Sequence, residues 1–134
     1  MKKFLCIISL IMCTVLTACG GGGTTTEEGE KIMYQQITQE EAKKIMDSGE
    51  EHIVLDVREQ DEFDEGHIPN AILIPYTEID AKAEGILTDK DAQILVYCRS
   101  GRRSKIAAES LANLGYTNVK EFGGIIDWEY EIVK

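Results

Sequence analysis

Three short segments of this chain are almost continuously apolar instead of alternating between apolar and polar residues. They are rich in β-branched residues and span 52–57, 71–74 and 94–97. A strand that is apolar on both faces is typical of a parallel sheet covered by helices, because an antiparallel sheet often leaves one face in water. The sequence therefore predicts an open α/β sheet, a fold that places ligands at the carboxyl ends of its strands.

Two further segments have the pattern of amphipathic helices. A capping box at 38–41 precedes apolar residues at helical spacing, and Gly49 ends this segment. The second helix is predicted from Ser104 to Leu114, and a further strand is predicted at 118–122. Together with the strand at 94–97 they form a βαβ unit, which supports a parallel sheet.

The composition limits the chain to one domain. It has 134 residues, with 14 Lys and Arg against 24 Asp and Glu and a formal net charge of −10. Since phosphate backbones bind clustered cations, this balance argues against nucleic acid or an anionic membrane surface as a partner. The acidic stretch at 59–65 is predicted to be a solvated face, and a single domain of this size is expected to be a monomer.

The N-terminal segment has the pattern of an export signal. Lys2 and Lys3 precede a mostly apolar run of about 13 residues, which is too short to cross a bilayer as a helix of roughly 20 residues. The run ends in Leu16-Thr17-Ala18-Cys19-Gly20, which resembles the lipobox of bacterial lipoproteins. That resemblance implies that Cys19 is diacylated before cleavage. The alternative is an ordinary signal peptide followed by a chance cysteine.

These features predict three segments. Residues 1–18 are a signal peptide with a lipobox, residues 19–30 are the lipidated Cys19 and a flexible Gly, Thr and Glu tether, and residues 31–134 are the folded domain. The predicted location is extracytoplasmic, in the cell envelope, with a lipid anchor to a bacterial membrane.

Processing of this kind leaves one free thiol. Cys6 and Cys13 lie in the signal peptide and Cys19 carries the lipid, so Cys98 remains. Outside the cytosol a lone thiol has no disulfide partner, which makes it a candidate for chemistry. The alternative is a small buried apolar residue. The cysteines form no CxxC pair, and with two histidines the sequence supports no metal site.

The most informative segment follows the strand at 94–97. It reads Cys98-Arg99-Ser100-Gly101-Arg102-Arg103-Ser104 and contains three of the four arginines of an acidic chain. Because a helix is predicted to begin near Ser104, the thiol faces backbone N–H groups and the positive end of a helix dipole. Such surroundings stabilise thiolates and bind oxyanions. The segment predicts an anion cradle around a nucleophilic thiol. The alternative is a solvated arginine cluster beside a core cysteine.

This loop resembles the active-site loop of rhodanese-type sulfurtransferases. The similarity covers essentially all of 36–134, and its other motifs are Leu55-Asp56-Val57-Arg58-Glu59, Glu65-Gly66-His67-Ile68-Pro69-Asn70-Ala71, Gly123-Gly124 and Trp128. The resemblance implies a single three-layer α/β domain, in which a mainly parallel central sheet lies between helices on both faces.

The resemblance also implies a reaction. Cys98 would accept the outer sulfur of a donor such as thiosulfate, become a persulfide and pass sulfane sulfur to a thiol or to cyanide. The substrate-binding cradle would comprise Arg99, Ser100, Gly101, Arg102 and Arg103. Backbone N–H donors and guanidinium charge suit this chemistry, because sulfite and a persulfide anion are its products. No metal and no organic cofactor is implied.

Cysteine phosphatases and arsenate reductases are the nearest chemical alternative. They need five residues between the cysteine and an arginine, because that longer loop encircles a tetrahedral oxyanion. In this chain the sixth residue after Cys98 is Ser104, and the basic residue Arg103 is the fifth. The shorter loop suits one sulfur atom, so the spacing argues against a phosphatase.

Several residues near the loop have structural interpretations beside functional ones. Arg58 either reaches the substrate or pairs with Asp56 and braces the loop, and we favour bracing. His67 is a candidate general base, but the resemblance implies a turn histidine that holds backbone. Trp128 is predicted to be a core aromatic on a closing helix, and Gly123-Gly124 is predicted to let the backbone approach the active loop.

Two classes of function remain open at this point. The first is an enzyme that turns over through a Cys98 persulfide. The second is a rhodanese-like sulfur carrier or protein-docking module at the cell envelope, without appreciable turnover. The intact cysteine and basic loop favour the enzyme, because inactive members of the family characteristically lose the nucleophile.

Overall fold

A computed structural model of the protein describes residues 34–134. The predicted signal peptide, the lipidated Cys19 and the tether lie outside these residues, as do residues 31–33 of the predicted domain. Within the described part of the chain, no helix is long and apolar enough to cross a membrane.

One parallel sheet organises the described residues. In chain order its strands are β1 (Gln35–Gln36), β2 (Ile53–Asp56), β3 (Ile72–Leu73), β4 (Ile94–Cys98) and β5 (Val119–Gly124). Their order across the sheet is β1-β5-β4-β2-β3, and all neighbouring pairs are parallel. The strand β4 therefore lies at the centre and has a neighbour on each side.

Helices connect the strands, as parallel pairing requires. They are α1 (Gln39–Asp47), α2 (Gln60–Glu65), α3 (Ile79–Ile86) and α4 (Arg102–Asn113), with 3-10 turns at Tyr76–Glu78 and Ile125–Asp127. The predicted capping box begins α1: the Thr38 hydroxyl accepts the Glu41 N–H at 3.1 Å, and the Glu41 carboxylate accepts the Thr38 N–H at 2.7 Å. This confirms the predicted start of the first helix.

The central strand β4 places alternate side chains into two separate cores. Val96 and Cys98 pack on one face with residues of α3 and α4. Leu95 and Tyr97 pack on the other face with residues of α1 and with Trp128. The domain is therefore a three-layer α/β structure with a parallel central sheet, which confirms the predicted fold class.

The structure differs from the sequence-based prediction at several elements. The helix α4 begins at Arg102, two residues before the predicted start, because Gly101 turns the chain with a φ of 102°. The predicted strand at 71–74 contains only β3, an edge strand whose Ile72 is 38% exposed. The stretch at 59–65, predicted to be a solvated face, is mostly exposed, but the helix α2 that it forms was not predicted, and neither were α3 and β1.

The C-terminal segment closes the second core. Trp128 follows a 3-10 turn instead of lying on an α-helix as predicted, because its backbone is extended at ψ 116°. Its ring lies 5.6 Å from that of Phe122 and 4.8 Å from that of Tyr130, measured between centroids. These contacts pack Trp128, which is partly buried, against the second core.

A buried ion pair joins the end of β2 to the turn after α2. The Arg58 guanidinium donates to the two carboxylate oxygens of Asp56 at 3.0 and 2.7 Å, and its Nη2 also donates to the Gly66 carbonyl at 2.7 Å. The Tyr97 hydroxyl donates to Asp56 at 2.6 Å. Burial alone would lower the pKa of Arg58, but the hydrogen bonds and charge of Asp56 outweigh burial and raise it. The predicted pairing of Arg58 with Asp56 is therefore present, and the segment that Arg58 braces is the turn after α2.

We expect Asp56→Ala to lower the free energy of unfolding by about 3 to 5 kcal/mol, because it leaves the Arg58 guanidinium buried without its counter-charge. Urea denaturation measures this change. Asp47→Ala is the control, since it removes an exposed ion pair with Lys43 and should cost only about 0.3 to 0.5 kcal/mol. Equal losses in the two variants would contradict the bracing role.

Candidate active site

Cys98 lies at the carboxyl end of the central strand β4. The pairing of β4 with β5 shifts register between Val96 and Cys98, so that Cys98 is opposite Gly124. The side chain is fully buried, and its Sγ accepts a hydrogen bond from the Gly101 N–H at 3.0 Å. An N–H donor directed at sulfur favours negative charge on that atom.

Gly101 shapes the loop between β4 and α4. It is the N-cap of α4, and its φ of 102° lies in the left-handed region that favours glycine. This turn brings the Gly101 N–H back onto the Cys98 sulfur, so the thiol lies at the N-terminus of a helix of 12 residues. The predicted helix N-terminus beside Cys98 is therefore confirmed.

Two buried polar side chains, those of Ser104 and Glu121, form a hydrogen-bonded chain next to the Cys98 thiol. The Ser104 hydroxyl is 3.4 Å from Sγ of Cys98, and it donates to Oε1 of Glu121 at 2.6 Å. The same Oε1 accepts the Gly123 N–H at 2.8 Å. Ser104 is fully buried and Glu121 is 3% exposed. The sequence does not predict either residue as part of the site. The pattern that could have indicated Glu121 is a lone carboxylate inside a predicted strand.

The polar side chains of the predicted cradle divide into two groups. Arg99, Ser100 and Arg102 are exposed. The Arg103 guanidinium is half-buried and donates to both carboxylate oxygens of Glu62, at 2.7 and 2.8 Å. One of the three loop cations is thus held by an ion pair with α2, while two remain in contact with solvent.

The Glu62 carboxylate accepts hydrogen bonds from two groups, the Glu59 backbone and the Arg103 guanidinium. Its Oε2 accepts the backbone N–H of Glu59 at 3.0 Å and so completes the capping box of α2. The hydrogen bonds from Arg103 are the largest effect on this carboxylate and lower the pKa of Glu62 to about 2, against the opposing effect of burial. Glu62 in turn raises the pKa of Arg103. The pair links α2 to α4 and fixes the Arg103 side chain beside the Cys98 loop.

The glycine pair lets β5 pass close to this loop. A Cβ atom at Gly124 would overlap the carbonyl group of Arg99. That carbonyl also accepts the N–H of Ile126 at 3.1 Å, which ties the loop to the segment after β5. Gly124 is therefore needed for the close approach, as the sequence predicts for Gly123-Gly124.

His67 has structural contacts in the turn after α2. Its Nδ1 is 3.0 Å from the Phe63 carbonyl oxygen, and its ring stacks on the Phe63 ring at 3.8 Å. Its backbone also exchanges hydrogen bonds with Val133. These contacts match the predicted turn histidine. Among residues 34–134, no group of three His, Cys, Asp or Glu side chains is placed to hold a metal ion.

The Glu62–Arg103 pair predicts a loss of stability in acid. Because the pKa of Glu62 falls from 4.5 to about 2 on folding, its contribution is present above pH 4.5 and is lost as the pH falls toward 2. We expect Glu62→Gln to lower the free energy of unfolding by about 1 kcal/mol at neutral pH and by much less in strong acid. Urea denaturation across this pH range measures the difference between the variants.

Glu65→Gln is the control for this experiment, because Glu65 is an exposed carboxylate of the same helix. It should change stability little at any pH. A Glu62→Gln effect that is the same at every pH would show that the ion pair is not its source.

Comparison with known proteins agrees with the fold. Residues 38–131 match the Rhodanese-like domain family. Thiosulfate sulfurtransferase PspE of Escherichia coli is 37% identical over 73 residues, which cover 54% of this chain and 70% of PspE. The crystal structure of a rhodanese-related protein from Thermoplasma volcanium superposes with a TM-score of 0.65 at 34% identity, covering 75% of this chain and 98% of that chain.

Another relative is a much longer protein. Adenylyltransferase and sulfurtransferase UBA4 of Candida albicans is 33% identical over 104 residues, which cover 72% of this chain. The chain spans only 24% of the length of UBA4. Both curated relatives are named as sulfurtransferases, and the match over 38–131 shows that this chain belongs to the rhodanese-like domain family.

Proposed function

We propose that this protein is a sulfurtransferase that moves sulfane sulfur from a donor such as thiosulfate to a thiol or to cyanide through a persulfide on Cys98. One observation carries the proposal: Sγ of Cys98 ends the central strand and accepts the Gly101 N–H at the N-terminus of α4. A nucleophile in this position lies where negative charge is stabilised. Membership of the family and the likeness to PspE support the proposal.

In the first half-reaction Sγ of Cys98 attacks the outer sulfur of thiosulfate. A bond forms between Sγ and that sulfur, the sulfur–sulfur bond of thiosulfate breaks, and its electron pair leaves with sulfite. The Gly101 N–H and the N-terminus of α4 favour the negative charge at the reacting sulfur atoms. The proposal includes no cofactor, since the nucleophile and the leaving group account for every bond that changes.

In the second half-reaction an acceptor thiolate, or cyanide, attacks the outer sulfur of the persulfide. The bond between the two sulfur atoms of the persulfide breaks, and Cys98 leaves as a thiolate, which completes the cycle. The exposed Arg99, on the loop after this thiol, and Arg102, at the start of α4, are nearby in the chain. We assign them the attraction of anionic donors to a site on an otherwise acidic protein.

A sulfur carrier or docking module is the second candidate, and the burial of the thiol is the observation that favours it. Cys98 has no exposed surface, and Arg103 is already paired with Glu62. A closed site of this kind favours storage of one sulfur atom over rapid exchange with bulky acceptors. The carrier would therefore form the same persulfide but release its sulfur slowly.

Persulfide formation is tested by the intact mass of the protein before and after treatment with thiosulfate and desalting. We expect a gain of roughly 32 Da, the mass of one sulfur atom, that dithiothreitol removes. Cys98→Ser is the matched control and should gain nothing. No gain in a wild-type protein with a reduced thiol would overturn thiosulfate as the donor.

Turnover with cyanide then separates the enzyme from the carrier. Repeated formation of thiocyanate in excess thiosulfate supports the enzyme, whereas one sulfur per Cys98 followed by negligible turnover supports the carrier.

A phosphoester substrate tests the phosphatase alternative. No hydrolysis is expected, because the loop is too short for a phosphoryl group.

We also propose that the protein is exported to the cell envelope and anchored through Cys19, on the basis of the pattern in residues 1–20, and that its single domain is a monomer, on the basis of its size. In bacteria that express the full chain, a labelled fatty acid should enter the wild-type protein and not Cys19→Ala. The wild-type protein should also sediment with membranes. A wild-type protein that stays in the cytosol without label would contradict export and anchoring.

A further inference from the structure

A buried carboxylate close to Cys98 has no role in the reaction as described so far. Glu121 lies on β5 and is 3% exposed, and the ion pairs formed within residues 34–134 do not include it. Its Oε1 is bound instead by the Ser104 hydroxyl at 2.6 Å and by the Gly123 N–H at 2.8 Å. A buried carboxylate without a paired cation is costly, so its position behind the nucleophile needs an explanation.

The hydrogen bonds around Ser104 have a definite direction. Its hydroxyl has one proton but three acceptors, which are Oε1 of Glu121 at 2.6 Å, the Gly101 carbonyl at 3.0 Å and the Gly123 carbonyl at 3.4 Å. The shortest contact has the length of a bond from a hydroxyl to a carboxylate, so the proton points to Glu121. The lone pairs of Ser104 then face Sγ of Cys98 at 3.4 Å, and the thiol donates to them.

We infer that Glu121 accepts the proton of the Cys98 thiol, with Ser104 as the relay between them. While the new sulfur–sulfur bond forms, the thiol proton moves to Oγ of Ser104 and the Ser104 proton moves to Oε1 of Glu121. The products of this step are the persulfide anion, sulfite and a protonated Glu121. When Cys98 leaves as a thiolate in the second half-reaction, the proton returns along the same route. The inference rests on the proposed sulfurtransferase function.

The relay avoids an electrostatic conflict. A Cys98 thiolate beside an ionised Glu121 would place two buried negative charges on either side of one hydroxyl group, and like charges at short range are costly away from water. Transfer of the proton to Glu121 leaves this pair of groups with a single negative charge. The charge of Arg103 is already matched by Glu62, so the relay removes a conflict that this arginine does not neutralise.

Other charged or titratable groups face the relay from the surrounding elements. They are Arg103 and Glu62 on the side of Cys98, and Tyr34, Lys105 and Asp127 on the side of Glu121. All of them are retained in the variants used below. A difference in pH dependence between wild type and variant therefore reports on the changed residue.

Glu121→Gln tests the relay, because glutamine keeps an oxygen that accepts the bonds from Ser104 and Gly123 but does not take up a proton. The rate of persulfide formation from thiosulfate is measured by intact mass between about pH 6 and about pH 9. We expect a loss of about 10²-fold near neutral pH. The rate should return toward that of the wild type as the pH rises, since hydroxide then removes the thiol proton.

Two further variants complete the experiment. Glu109→Gln, at an exposed position of α4, is the matched control and should follow the wild-type profile. Ser104→Ala breaks the relay at its middle, so it should show the same pH-dependent loss as Glu121→Gln. The rate of persulfide formation in the double variant should fall no further than in either single variant, because each change alone already interrupts proton transfer.

Three results for Glu121→Gln would overturn the inference. They are an unchanged rate, a faster rate near neutral pH, which would mean that the carboxylate opposes the thiolate, and an equal loss at every pH, which would mark a structural role. If the wild type itself gains no sulfur, the proposed function fails. Alkylation of Cys98 by iodoacetamide over the same pH range then tests the relay independently of sulfur transfer.

Discussion

β4 and β5 run in parallel, and the shift in their register between Val96 and Cys98 sets Cys98 opposite Gly124. Val96 is paired with Glu121, and side chains that alternate along a strand return to the same face every second residue. Both Cys98 and Glu121 therefore point toward α4, where Ser104 lies between them. Because Gly124 has no side chain, the Arg99 carbonyl fits against it and the loop folds back over the end of the sheet. The backbone of two adjacent strands thus determines which groups surround the sulfur.

The charged residues in the first turn of α4 determine the electrostatics at the N-terminus of that helix. The turn contains Arg102 and Arg103 and has no acidic residue, although cations are unfavourable beside the positive end of a helix dipole. Glu62 on α2 offsets this cost for Arg103 through two hydrogen bonds. No acidic side chain lies in the first turn of α4 and no side chain caps it. The helix N-terminus therefore stays available to negative charge at Cys98, whose Sγ accepts the Gly101 N–H. The N-terminus of α4 is therefore a site that favours negative charge, although the protein as a whole is acidic.

Features that are local in the sequence were predictable, and contacts between distant segments were not. The apolar segments predicted the central strands, and the order of strand, Cys98, glycine turn and helix placed the thiol at a helix N-terminus. The partner of Arg103 is 41 positions away in the chain, and the partner of Ser104 on β5 is 17 positions away. No local pattern encodes these pairings. The helix α3 was missed because no side chain caps its N-terminus, whereas α1, of similar length, is marked in the sequence by its capping box.

The size of the Cys98 loop also restricts the class of reaction. Sγ is bound by the N–H of the third residue after it, and α4 begins at the fourth, Arg102. A cysteine phosphatase bonds its sulfur to the central atom of a tetrahedral oxyanion and needs several N–H groups around that whole group, which a loop that closes so soon does not surround. Attack on the outer sulfur of thiosulfate instead keeps the sulfite group one atom further from Sγ. Cys98 is also fully buried, so the space beside its sulfur is limited to small additions. One sulfur atom satisfies both limits, because it extends the side chain by a single atom and carries its charge next to the Gly101 N–H.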